Sequence, residues 1–137
     1  MSSMNAADSA KGWYRIAQMD SYMAHNSFDT MHPKPYELIC FHTQQAVEKL
    51  LKGFLTVKAV IPPKTHDLLI LHDMCLELRE DFEPLRMAIG RLNPYGVQPR
   101  YPNEIEISEE DTLRALRDMD SVMMFFSDCV FEHEQDE

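Results

Sequence analysis

The amino-acid sequence predicts an all-α protein: an antiparallel up-and-down bundle of four main helices plus a short extra helix. Three observations predict it. Apolar residues recur at steps of three and four along most of the chain. Glycine is scarce, with four residues against ten methionines, which disfavours a turn-rich β architecture. The breaks between periodic segments carry proline or a helix-capping residue.

The first helix is expected over about 8–27, with Trp13, Ile16, Ala17, Met23 and Ala24 on its inward side. A connector with Asn26, Ser27, Asp29 and Pro33 follows. Pro35 suits the first turn of the second helix, where its missing N–H costs nothing. That helix should run to about Ala59 and bury Ile39, Cys40, Thr43, Val47, Leu50, Leu51 and Phe54. Pro62-Pro63 cannot continue it.

Thr65 or His66 opens a third helix to Leu78, with Leu68, Leu69, Leu71, Met74, Cys75 and Leu78 apolar. After a break at 81–84, a short helix covers roughly 85–92 and ends at Asn93-Pro94-Tyr95-Gly96. The stretch 97–107 holds Pro99 and Pro102 and is expected to be an irregular loop. Ser108 is a strong N-cap. Glu109, Glu110 and Asp111 then set negative charge at the positive end of the helix dipole. The last helix, to about Phe131, puts Leu113, Leu116, Met123, Phe126 and Val130 on one face. It also carries Val122, Met124, Phe125 and Cys129. That surplus suits either a twofold homodimer or packing against the preceding loop; the sequence favours the dimer.

A chain of 137 residues suits one domain, here 1–137, with an acidic tail at 132–137 expected to be flexible. The formal net charge of -10 argues against general nucleic-acid binding by phosphate neutralisation. The segment 49–66 differs, carrying Lys49, Lys52, Lys58 and Lys64 and no acidic residue. Cys40, Cys75 and Cys129 are odd in number and far apart, so neither a disulfide framework nor a zinc site is expected. No apolar stretch reaches membrane-spanning length and no secretory leader pattern opens the chain, so a cytoplasmic location and no membrane partner are expected.

Three places hold candidate ligand-binding residues. His42, Gln45, Lys49 and Lys52 form one stripe on the second helix, where Lys can meet phosphate and Gln and His can hydrogen-bond. Glu48 and Lys52 are also spaced as an ordinary helix-surface pair, and spacing alone favours that plainer reading. Lys64 and His66 flank a helix start, where free N–H groups attract anions, while Thr65 or Asp67 can cap that start without any ligand. Arg100 and Tyr101 sit on the proline-rich loop, either as a guanidinium fork and stacking face or as a plug and an ion pair. No catalytic constellation, metal-ligand spacing or cofactor motif is found: no P-loop, no H-E-x-x-H, no G-x-S-x-G.

The strings FHTQQAVEKLLKGFL (41–55), THDLLILH (65–72) and RYPNEIEISEEDTLRAL (100–116), in that order, resemble the HEPN domain family of helical nucleotide-associated domains. The resemblance spans about Trp13 to Phe126. It implies a helical bundle similar to the C-terminal domain of kanamycin nucleotidyltransferase, usually dimeric. It also implies nucleotide binding, or partnership with a minimal nucleotidyltransferase in a toxin–antitoxin pair. Some members of the family are metal-independent ribonucleases that use Arg and His separated by four to six residues. No arginine here has a histidine in that window: Arg91 meets Gly96, Val97 and Gln98, and Arg100 meets Ile105, Glu106 and Ile107. The resemblance therefore implies the non-ribonuclease branch. Carried over by position, it points to Gln45, Glu48, Lys49, Lys52, His66, Asp67, Arg100 and Tyr101. A ribonuclease of unusual form is the third reading.

Overall fold

The computed structural model describes residues 6–96 and 106–131, and among them every regular element is helical. Helix α1 covers Ala6–Thr30, α2 Tyr36–Val57, α3 Leu68–Leu78, α4 Arg86–Leu92 and α5 Glu109–Phe125. Tight 3-10 turns at Glu80–Leu85 and Asn93–Gly96 flank α4, and a wider π turn, Phe126–Phe131, extends α5. The expected all-α class is the one found. The loop expected at 97–107 falls largely outside the described residues, and the acidic tail wholly outside them, as do Arg100 and Tyr101.

Helix α2 is the axis of the bundle. The whole stripe expected to be apolar is buried, and Gln44, Glu48 and Lys52 are buried beside it. Helix α1 packs along it in the opposite sense, and Gly53 permits the close approach. A methyl group at Gly53 would drive into the Tyr14 ring, whose Cδ1 lies 2.7 Å from that position.

Helix α2 ends in a Schellman-type cap. The Val60 N–H donates to the Leu55 carbonyl (2.9 Å) and the Ala59 N–H to Thr56 (3.0 Å), with Ala59 in the left-handed region at φ 60°. The chain then returns along α2 before α3 starts, so α3 runs in the same sense as α2. His66 lies against Glu48, and the Cys75 thiol lies 3.7 Å from the Leu51 carbonyl.

Helix α4 turns back, and Asn93 at its end closes the start of α3 by accepting from the Leu68 N–H (2.8 Å). His72, wholly buried, holds the turn before α4. The Arg86 guanidinium can only donate, so it donates to His72 Nδ1 (3.1 Å), and Nε2–H donates to the Phe82 carbonyl (2.7 Å). Helix α5 begins with the expected cap. The Ser108 hydroxyl accepts from the Asp111 N–H, and the Asp111 carboxylate accepts from the Ser108 N–H. Arg91 grips Asp118 with two bonds of 2.9 Å and ties α4 to α5. Rings of Phe54, Phe82, Phe125 and Phe126 fill the far end of the core.

The structure corrects several boundaries and faces. Helix α3 starts at Leu68, with Asp67 as its cap, not at Thr65 or His66. Pro35 stands one residue before α2, as its N-cap. Helix α1 buries Ala10, Tyr14, Ala17, Ala24 and Ser27, whereas Ile16 and Met23 face outward. Leu78 and Leu113 are exposed as well. Of the apolar surplus on the last helix, Val122 and Phe125 join the core and Met124 stays outside. The π turn supplies the reason for the tail of that helix. Its wider winding rotates Val130 and Phe131 back onto the core, beside Phe126.

Candidate functional site

The seam between α1, α2 and the 58–67 connector carries one connected polar network. Its centre is Glu48. The side chain is 2 % exposed, and its two oxygens face different partners: Oε1 lies 2.9 Å from His66 Nδ1, and Oε2 accepts from Lys52 Nζ at 3.3 Å. Lys49 Nζ stands 4.0 Å from Oε2. These positions follow from helix geometry: Glu48 and Lys52 are one turn apart, and the returning connector drops His66 over them.

The network extends along α2. Lys49 Nζ donates to Gln45 Oε1 (2.7 Å), Gln45 Nε2 to Gln44 Oε1 (2.8 Å), and Gln44 Nε2 to the backbone carbonyl of His66 (3.0 Å). On the α1 side, Asp20 lies 2.9 Å from His42 Nδ1 and 3.9 Å from Lys49 Nζ. All four stripe residues named from the sequence, His42, Gln45, Lys49 and Lys52, are thus brought together. His66 joins them and is the open end, with its side chain 72 % exposed.

Lys64 is exposed nearby without a hydrogen bond or ion pair among the described residues. The first two N–H groups of the helix start beside it already have partners: the Leu69 N–H donates to Asp67 (3.0 Å) and the Leu68 N–H to Asn93. Arg100 and Tyr101 cannot be placed relative to this network, since they lie outside the described residues.

Sequence reasoning missed three contributors. Asp20 was not singled out, and its tie to His42 and Lys49 depends on helix pairing that no local pattern encodes. Gln44 stands next to a candidate but is buried, linking α2 to the connector. Trp13 was assigned to the core. It instead stands half-buried at the seam, with Lys52 Nζ 5.7 Å from its ring centroid. Its spacing of seven from Asp20 was the available signal.

Chemically the network is a set of hydrogen-bond donors and acceptors of both signs. No three metal-ligating side chains converge among the described residues. The two core thiols are poor nucleophiles, since burial pushes Cys75 up to about 12 and Cys40 up to about 11.

The family model for the HEPN domain matches residues 10–129. The chain belongs to the HEPN domain family. No curated protein and no solved structure matches it significantly. The polar seam of this HEPN domain lies wholly inside the matched span, and so does the helical bundle that builds it. No helix among the described residues is long and apolar enough to cross a membrane.

Proposed function

We propose that this HEPN domain is a binding module for a nucleotide or another phosphate-bearing ligand, without catalytic chemistry of its own. The ligand meets the polar seam of α1, α2 and the connector, at the end marked by His66, Lys64 and Lys49. One observation carries the reading: Glu48, almost fully buried, is held by Lys52 and His66 in a helix whose other buried side chains are mostly apolar. Buried ion pairs rarely stabilise a fold more than apolar residues of similar size. Their placement along one seam fits a surface that serves recognition. The missing Arg–His spacing supports a non-ribonuclease role.

Isothermal titration of the pure protein with ATP, GTP and their mono- and diphosphates tests the proposal. Saturable heat, weakened in His66→Ala and Lys49→Ala, is expected. No heat at millimolar ligand removes the proposal.

A second reading, an antitoxin or accessory subunit for a minimal nucleotidyltransferase, rests on a different surface. Ile16, Met19, Tyr22 and Met23 leave an apolar stripe exposed on α1, and Met124 is exposed on α5. The same stripe suits a homodimer. Light scattering reads the oligomeric state, and co-purification with the product of a neighbouring nucleotidyltransferase gene reads the partner. The free thiols of Cys40, Cys75 and Cys129 suit a reducing, cytoplasmic setting.

A further inference from the structure

We infer that Trp13 is the stacking wall of this seam, so that the ligand is recognised by an aromatic base and not by its phosphate chain. The inference rests on the binding reading above and moves its main recognition element from the phosphate to the base. Its first support is charge. Asp20 and Glu48 formally match Lys49 and Lys52, and each lysine already has a carboxylate within 4.0 Å. A triphosphate arriving here meets lysines whose charge is already balanced, with Lys64 the nearby cation that has no carboxylate partner among the described residues. Phosphate therefore adds little, and the affinity must come from another group.

The second support is Trp13 itself. It stands half-buried beside the seam, seven residues from Asp20, with Lys52 Nζ over its ring at 5.7 Å. Its indole N–H has no hydrogen-bond partner among the described residues. An indole is a costly residue to leave half-exposed, and it offers both a broad π face and a donor at its edge. A purine stacked on that face brings its polar edge towards the donors and acceptors of the network. The ligand class that fits is a nucleoside or nucleoside monophosphate, in preference to a triphosphate or a bare phosphate.

Trp13 is the single tryptophan of the chain, so its fluorescence reports this site alone. The full chain is titrated with adenosine, AMP, GMP, ATP and pyrophosphate, reading heat and fluorescence together. The expected result is a saturable change in fluorescence with a nucleoside or monophosphate, at the midpoint seen by heat. ATP binds no more tightly than AMP, and pyrophosphate is silent. Trp13→Ala weakens nucleoside binding about tenfold, whereas Trp13→Phe keeps most of it. Trp13→Leu, apolar but not aromatic, replaces the alanine variant if that one does not fold.

Pyrophosphate binding as tightly as AMP overturns the inference and leaves the binding reading standing. So does nucleotide heat with unmoved fluorescence and unchanged affinity in Trp13→Ala. Absence of heat with all five ligands removes the binding reading itself, and the inference falls with it.

Discussion

Glu48 concentrates the polar contacts of the α1–α2 seam in one side chain. It lies on the axial helix, within reach of two lysines and a histidine, and water barely touches it. Removing it leaves Lys52 nearly buried without its carboxylate. Glu48→Ala is therefore expected to destabilise the fold by about 3 kcal/mol in urea unfolding, at the low end for a broken buried pair because Lys52 retains some exposure. The double variant Glu48→Leu with Lys52→Met should recover most of that loss, since apolar side chains of similar volume can replace a buried pair. If the seam serves recognition, the double variant folds and fails to bind. A double variant that unfolds as readily as the single one would make the pair a structural requirement instead.

Two helix-level features are set by single backbone positions. Ala59 holds the left-handed conformation that closes α2, at φ 60°. A Cβ there costs roughly 1–2 kcal/mol, partly offset by the entropy that glycine loses on folding. Ala59→Gly should raise the stability by about 1 kcal/mol, read as a higher urea midpoint with an unchanged slope. The opposite holds at Gly53, where α1 and α2 touch through the Tyr14 ring. Gly53→Ala should cost about 1–3 kcal/mol, because the added methyl has to displace a packed ring. The helical preference of alanine would argue for a gain, so the sign of the change separates packing from propensity.

For the molecule as a whole, alkaline pH is the lever the structure exposes. Burial raises Cys40 to about 11 and Cys75 to about 12, against 9.0 for a solvated thiol, and Tyr95 is raised by burial as well. The native protein thus holds these protons at pH values where the unfolded chain releases them. Their contribution to stability is complete below about pH 9. It is lost as the pH rises towards the native values, by up to about 1.4 kcal/mol per unit for each thiol. Urea titrations at pH 8 and 10.5 check this, and Cys75→Val should flatten the decline. A decline of the same steepness in Cys75→Val would assign it elsewhere. At pH 8 both thiols should resist alkylation until the chain unfolds.

The sequence by itself determined the helical class, the buried stripe of α2, the Ser108 cap and the polar row from His42 to Lys52. All four are carried by residues within a few turns of one another, where helix geometry alone dictates the neighbours. The family, too, was legible in short strings kept in order. Tertiary structure decided the rest. It turned Ile16 and Met23 outward although their spacing suits a core, because the small residues Ala10, Ala17 and Ala24 let α1 approach α2 closely on the neighbouring face. It also brought Asp20, Trp13 and His66 to the row on α2, across separations of 18 to 39 positions between His66 and Glu48 or Trp13 and Lys52. Such contacts depend on how whole helices pair and where a ten-residue connector returns, and neither is encoded in any local pattern of residues.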